Sequence, residues 1–159
     1  MTTLRKPKVY FACSITGGRA CQPTYAYIVE LLEAWGYNVP SKEFVSPHLT
    51  AEGTPNLTSP QIHEKDLGWL AGSDLIVAEA TTPSLGLGYA LGTQAERNRT
   101  GGPVKPVIVL ARSDVRLSSM IGPHCAPGFV IIRYDSHADL ASQLAQALAA
   151  FSTGAAEGV

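Results

Sequence analysis

The sequence predicts an α/β fold in which a parallel sheet is covered by helices on both faces. Three observations predict it. Strand-like apolar runs alternate along the chain with segments of helical period. The runs are nearly continuous in apolarity, whereas a sheet with one solvated face shows a polar residue at every second position. Turns rich in Gly and Pro separate the segments. Together these favour a doubly wound sheet.

Lys8–Cys13 reads as the first strand. Tyr25, Ile28, Leu31, Leu32 and Trp35 recur at helical spacing, and Gly36 stops that helix. Tyr37–Pro40 is a weaker second strand. Residues 46–60 are rich in Pro, Thr, Ser, Gly and Asn and read as a long loop, of a length that suits a functional segment. Ser59 is the expected N-cap of a helix with Pro60 at its first position, running to about Leu70. Asp74–Glu79 is the third strand. A Gly-rich turn over 81–88 leads into a helix that runs to about Asn98. Pro106–Ala111 and Phe129–Tyr134 are the last two strands, and Leu140, Leu144, Ala147, Leu148 and Phe151 line a final helix. The five strands imply the order 2-1-3-4-5 in three layers. In such sheets the ligand sits at the carboxyl ends of the strands, near the switch between strands 1 and 3. The 159 residues suit one domain, with a core over about 7–151 and a frayed tail over 152–159.

Composition narrows the function. Hydrophobic residues make up 45% and charged residues 16%, which fits a globular protein and not a disordered one. A net charge of −1 without a basic run argues against a nucleic-acid polymer as partner. The N-terminus has no apolar signal region, and no stretch has membrane-spanning length. Cys13, Cys21 and Cys125 form no CxxC pair, so a reducing compartment is expected: cytoplasmic, or nuclear in a eukaryote. His48, His63, His124 and His137 lie in four separate segments, and no metal site is expected. The absence of GxSxG argues against a serine hydrolase.

Four features gather at the expected ligand edge. The first strand runs into Ser14, Ile15, Thr16, Gly17, Gly18 and Arg19, a Gly-rich loop whose amides and hydroxyls suit a phosphate; it reads equally as a flexible connection. Glu79 ends an apolar strand, where it is either desolvated and functional or escaping to solvent. Asp66 is four residues from both Ile62 and Leu70, which puts it on an inward helix face as a functional or a paired structural carboxylate. Ser84–Gly88 opens a helix and is either a second anion-binding turn or an ordinary strand-to-helix connection.

Four segments carry a family resemblance. Lys8-Val-Tyr-Phe-Ala-Cys-Ser-Ile-Thr-Gly-Gly-Arg19, Ile62-His-Glu-Lys-Asp-Leu-Gly-Trp-Leu70, Val77-Ala-Glu-Ala-Thr-Thr-Pro-Ser-Leu-Gly-Leu-Gly-Tyr-Ala-Leu-Gly92 and Leu117-Ser-Ser-Met-Ile121 occur in that order. Together they resemble the 2′-deoxynucleoside 5′-phosphate N-hydrolases of the nucleoside 2-deoxyribosyltransferase superfamily, over about residues 8–135. The resemblance implies a flavodoxin-like, Rossmann-like homodimer without cofactor. It implies cleavage of the base from a 2′-deoxynucleoside monophosphate through a covalent glycosyl-enzyme, as in a retaining glycosidase. Carried onto this chain, it sets Tyr10 beside the sugar and nucleophile. Asp66 would hold the sugar and orient the nucleophile, and Glu79 would act as a second acid near the departing base. Ser14 to Gly18, Ser84 and Gly86 would surround the phosphate, with Ser118 reaching in from the partner subunit.

Two departures qualify what the resemblance implies. The family has Arg where this chain has Thr16, which weakens a strict need for the 5′-phosphate, with Arg19 as a partial replacement. The family's Gly-Tyr-Glu-Leu-Gly reads Gly88-Tyr-Ala-Leu-Gly92 here, so the nucleophile position holds Ala90. Loss of a covalent nucleophile usually lowers the rate by several orders of magnitude. Glu96, six residues on, faces away from position 90 on the helix and is a poor substitute. The expectation is therefore a nucleotide N-glycosidase inactivated at its nucleophile position, as an engineered nucleophile-to-Ala variant with little activity or a natural binding protein that has lost the chemistry. The alternatives are a deoxyribosyltransferase that exchanges bases and a nucleotide-binding pseudoenzyme.

Overall fold

Val, Ile, Leu and aromatic residues dominate the strands because both of their faces are covered. In the structure, a computed structural model that describes residues 5–154, the strands are β1 (Val9–Ala12), β2 (Leu75–Glu79), β3 (Val107–Arg112) and β4 (Phe129–Tyr134). All of β1 and β2 is buried, and so is β3 up to Ala111. They form a parallel sheet in the order β1-β2-β3-β4. Helix α1 (Gln22–Ala34) packs with α4 (His137–Gly154), and α2 (Ser59–Gly72) packs with α3 (Leu85–Thr100). A sheet whose consecutive side chains are all buried needs cover on both faces, and these two pairs supply it. Buried side chains from Val9 to Leu148 form one continuous core.

The fifth strand expected at Tyr37–Pro40 does not form. Asn38 makes a single parallel bridge to Lys8, with Val9 N donating to Asn38 O at 2.8 Å and Asn38 N to Pro7 O at 2.9 Å. The ladder stops because Ser41 takes the next place on the edge. Its Oγ accepts from Phe11 N at 2.9 Å and donates to Phe11 O at 2.8 Å. Pro40 has no N–H to offer a neighbour. The other four strands keep the neighbours that the expected order gives them.

Three boundaries also differ from expectation. Thr58, not Ser59, caps α2: its Oγ1 accepts from Gln61 N at 3.4 Å, while Gln61 Oε1 accepts from Thr58 N at 2.8 Å, a reciprocal capping box. Helix α3 starts at Leu85, so Gly86 and Gly88 lie in its first turns and not in a loop. Helix α4 continues through 152–154, where fraying was expected, and Ser152 Oγ donates to Leu148 O at 3.1 Å. Residues 155–159 of the expected tail lie outside the described residues. Gly36, at φ +90°, adopts a left-handed conformation that suits glycine just after α1. No helix among the described residues is long and apolar enough to cross a membrane.

Candidate functional site at the carboxyl edge of the sheet

The loop after β1 is built for close approach. Ser14 is fully buried, and its Oγ has no hydrogen-bond partner among the described residues. Gly18 N donates to Ile15 O at 3.2 Å, closing a tight turn, and Gly18 has φ +124°. A Cβ on Gly17 would collide with the Pro83 carbonyl oxygen and come within 2.7 Å of Ser14 Oγ. Glycine at 17 therefore lets the β1 loop lie against the loop that leads into α3. Ile15 is half-buried and Thr16 is exposed.

Ser84 caps α3, its Oγ accepting from Leu87 N at 3.4 Å. The α3 N-terminus thus opens beside the Gly17–Pro83 contact, with Gly86 exposed in its first turn. Amides at a helix start favour an anion. The two Gly-containing segments singled out in the sequence do meet.

Arg19 does not hold itself ready for an anion. Its Nε donates to Leu49 O at 3.1 Å, Nη2 to Ser46 O at 3.1 Å and Nη1 to Ser14 O at 3.5 Å, and the guanidinium lies 5.7 Å from the Tyr25 ring centroid. The expected replacement for the family's phosphate-binding Arg is an anchor for the 46–49 segment. Carbonyls from two loops satisfy it because the long loop folds back over the first.

Glu79 is fully buried at the end of β2. Tyr134 Oη donates to its Oε1 at 2.9 Å, Thr81 N donates to Oε1 at 3.3 Å, and the Thr81 hydroxyl donates to the same oxygen. Thr81 Oγ1 in turn accepts from Arg112 N at 3.0 Å. Burial pushes the carboxyl above its ordinary value, opposed by the hydrogen bonds from Thr81 and Tyr134 and by the Arg112 charge.

Register then separates the two carboxylates. Tyr10 is paired with Ile76 and Phe11 with Val77, so Glu79 shares the face of Phe11, opposite to that of Tyr10. Phe11 meets Tyr25 of α1 at a centroid distance of 6.1 Å, which marks that face as the α1 and α4 side. Tyr10 meets Phe44, and Phe44 meets Trp69 of α2, at 6.4 and 5.6 Å, which marks the other side. Phe44 sits in a short 3-10 turn, Lys42–Val45. Glu79 and Asp66 therefore lie on opposite faces of the sheet.

Asp66 lies where its spacing put it, half-buried on α2 above buried Leu70. Its Oδ1 is buried and has no hydrogen-bond partner among the described residues. Burial pushes the carboxyl up to about 6, with Glu43 adding to the rise and Lys65 and His63 opposing it. Lys65 bonds Glu43 at 2.5 Å and stands 4.9 Å from the Trp69 ring centroid. Tyr10 is buried and feels the Asp66 charge; burial first, then that charge, raises its phenol, so it stays a neutral donor. One turn before Asp66, His63 Nε2 lies 3.3 Å from Tyr89 Oη, which joins α2 to α3 beside the half-buried Ala90. Tyr10, Asp66 and position 90 therefore gather on one side of the sheet.

A cleft of about 850 Å³ lies elsewhere. It is lined by Gly88, Leu91, Gly92 and Ala95 of α3 and, across from them, by Leu117 to Ile121. At about 100° per residue, Ala90 points roughly 160° away from Gly88 around the helix. The cleft and the Asp66 side thus flank α3, and the cleft reaches Thr16, Gly17 and Ser84 at its end. Ser118 is exposed on its wall, its Oγ accepting from Met120 N at 3.2 Å.

Comparison with known proteins now decides the family. The 5-hydroxymethyl-dUMP N-hydrolase of Danio rerio is 38% identical over 129 residues, covering 79% of this chain and 85% of that one. A protein of Trichoplax adhaerens named for 2′-deoxynucleoside 5′-phosphate N-hydrolase is 39% identical over 122 residues, covering 74% and 76%. The chain belongs to the 2′-deoxynucleoside 5′-phosphate N-hydrolase family. The Rattus norvegicus 5-hydroxymethyl-dUMP N-hydrolase is 42% identical over 71% of this chain and 67% of its own length. The structure of a CMP N-glycosidase from Clostridium botulinum superposes at TM-score 0.64 over 87% of this chain and 98% of that one, at 17% identity, and shares the fold. No protein-family model matches.

Position 90, where the resemblance sets the nucleophile, carries a half-buried methyl group on α3. Thr81 and Tyr134, the partners of Glu79, were not singled out in the sequence. Both end up at the same strand edge, and that placement was the signal available. Phe44 and Glu43 come to the Tyr10 and Asp66 side through the irregular 41–58 segment, which has no period to read.

Proposed function

We propose that the site binds a 2′-deoxynucleoside 5′-monophosphate and belongs to an N-glycosidase that releases the free base and 2-deoxyribose 5-phosphate. The observation that carries this reading is the placement of Asp66 and Tyr10 together on the α2 side, where α2 meets α3 beside position 90. Names of the related proteins support the substrate class. In this reading Tyr10 and Asp66 face the sugar. Ser14, Ile15, Thr16, Gly17, Gly18, Ser84 and Gly86 surround the phosphate, with the buried hydroxyl of Ser14 and the amides of the α3 start as donors. Glu79 fixes the end of β2 from the opposite face.

Ala90 occupies the place of the covalent nucleophile, so the double-displacement route is impaired. Restoring Ala90→Glu and measuring base release from a panel of deoxynucleotides, 5-hydroxymethyl-dUMP included, tests the reading. Release at least 100-fold above the starting chain is expected. Release from none of them, by either form, ends it. The presence of Thr16, where the family has Arg, favours a base-exchanging transferase as the second reading. Adding a free base to the Ala90→Glu protein separates the two, since a transferase yields mostly the exchanged nucleoside.

We also propose that a second copy of the chain covers the cleft. Leu85 and Met120 beside it are 95% and 83% exposed, and the lining is mostly apolar. Ser118 would then serve the phosphate of the neighbouring site. Light scattering should report a dimer, and Met120→Asp should shift it to monomer.

A further inference from the structure

The loop after β1 and the start of α3 offer hydroxyls and amides to an anion but no charge of their own. Thr16 is neutral, and the Arg19 guanidinium is taken up by three backbone carbonyls. A phosphate monoester carries nearly two negative charges at neutral pH. A cation facing these loops is therefore what its recognition lacks.

The cleft beside them holds that cation. Its lining includes Arg99, Arg116 and His124 and, among the described residues, no carboxylate. Arg99 is already engaged, with Nη2 donating to Glu96 at 2.9 Å and Nη1 to Cys125 O at 2.7 Å. His124 Nε2 lies 3.0 Å from Ser119 O. Nearby, Arg112 is paired with Asp114, and Arg133 donates to the carbonyls of Ser113 and Val115. The Arg116 guanidinium has neither a hydrogen bond nor an ion pair among the described residues, and the side chain is exposed.

The fold brings Arg116 to the edge where the two loops meet. Those loops leave the carboxyl ends of β1 and β2, and β3 is the other neighbour of β2. Arg112, the last residue of β3, donates its N–H to Thr81 Oγ1 at 3.0 Å, which ties the end of β3 to the loop before α3. Ser113 N bonds Tyr134 O at 3.0 Å and Val115 N bonds Arg112 O at 3.4 Å, closing a turn. Arg116 follows that turn and enters the cleft wall, and the same cleft ends at Thr16, Gly17 and Ser84. Directly behind Gly17 lies the Ser14 hydroxyl, fully buried and without a partner among the described residues.

We infer that Arg116 is the cation that recognises the 5′-phosphate, and that it sets the preference of the site for a nucleoside monophosphate over the nucleoside. This rests on the function proposed above and adds the residue on which phosphate dependence turns. A guanidinium presents paired donors that match two phosphate oxygens, while the Ser14 hydroxyl and the α3 amides serve the third. The assignment concerns one chain's own loops and holds with the cleft open or covered by a second copy. Because Arg116 is exposed, salt screens its contribution.

Calorimetry on the protein as it stands tests this with matched pairs of deoxynucleoside monophosphate and deoxynucleoside, 5-hydroxymethyl-dUMP and its nucleoside among them. At low salt the monophosphate should bind about tenfold or more tightly than its nucleoside. Arg116→Gln should bring that ratio below about threefold, and Arg116→Lys, which keeps the charge without the paired donors, should fall between. Raising the salt should shrink the ratio in the parent far more than in Arg116→Gln. An exposed side chain without partners is replaced without disturbing the core, so both variants should fold. A ratio unaltered in Arg116→Gln overturns the inference. So does an equal loss of affinity for both members of a pair, which marks a structural role. A parent that binds both members equally overturns it too, and leaves standing an N-glycosidase that acts on nucleosides. Binding of neither member of any pair removes the proposed function as well.

Discussion

Replacing Tyr134 by Phe removes one hydroxyl from a 3%-exposed ring and one donor from a fully buried carboxylate. The oxygen it serves, Glu79 Oε1, then has only Thr81 as a donor from those partners. A hydrogen bond to a charged group contributes about 1.5–3 kcal/mol and one to a neutral group about 0.5–1.5 kcal/mol. Burial raises the Glu79 carboxyl above its ordinary value near 4.5. The folded state therefore favours the protonated form. Its contribution to stability is full below that ordinary value and is lost as pH climbs through the raised one. Tyr134→Phe takes away a bond that helps the charged form, so it raises the carboxyl further and steepens that loss. For a chain of this length each kcal/mol moves the melting temperature by about 2–4 °C. The substitution should lower Tm by about 1–12 °C, and by more at pH 8 than at pH 5. Thermal melts of both proteins at the two pH values check this. An equal decrement at pH 5 and pH 8 would refute the assignment of Tyr134 as a donor to an ionisable buried Glu79.

Gly17→Ala should cost about 1–3 kcal/mol, because its Cβ meets backbone oxygen and not a yielding side chain; nucleotide affinity by calorimetry should fall at least tenfold. An unchanged affinity would dissociate the β1 loop from the ligand. Arg19→Ala should release the 46–49 segment, seen as cleavage within 46–58 at least several-fold faster in limited proteolysis, with Arg19→Lys intermediate. For Asp66, the raised carboxyl means stability is lost as pH rises through about 6, so Asp66→Asn should melt above the parent at pH 8 and level with it at pH 4. A lower melting temperature at pH 8 would show that the Asp66 charge stabilises the fold.

Much of this arrangement was legible in the chain. Continuous apolar runs identified β1 to β4 because strands buried on both faces leave no polar trace. The Ile62, Asp66 and Leu70 spacing put a carboxylate on the inner face of α2, and its buried Oδ1 agrees. Tyr37–Pro40 misled because edge pairing is decided by what competes for the edge, and Ser41 competes through a side chain that propensity ignores. The start of α3 misled because Gly86 and Gly88 resemble a loop by composition, whereas the Ser84 cap imposes a helix on them. Glu79 was located correctly on its strand, but its face depends on counting register from Tyr10 and Phe11. Arg19 was legible as a cation near a Gly loop and not as a fastener, since its acceptors are carbonyls of a segment without period.

Helix α3 stands between a cleft and a helix. It lines the cleft through Gly88, Leu91, Gly92 and Ala95, and its Tyr89 meets His63 of α2 on the other side. A helix of 16 residues is a rod about 24 Å long. The same rod therefore carries the cleft lining on one flank and the contact with the Asp66 helix on the other, so a single element borders both groups of residues singled out in the sequence.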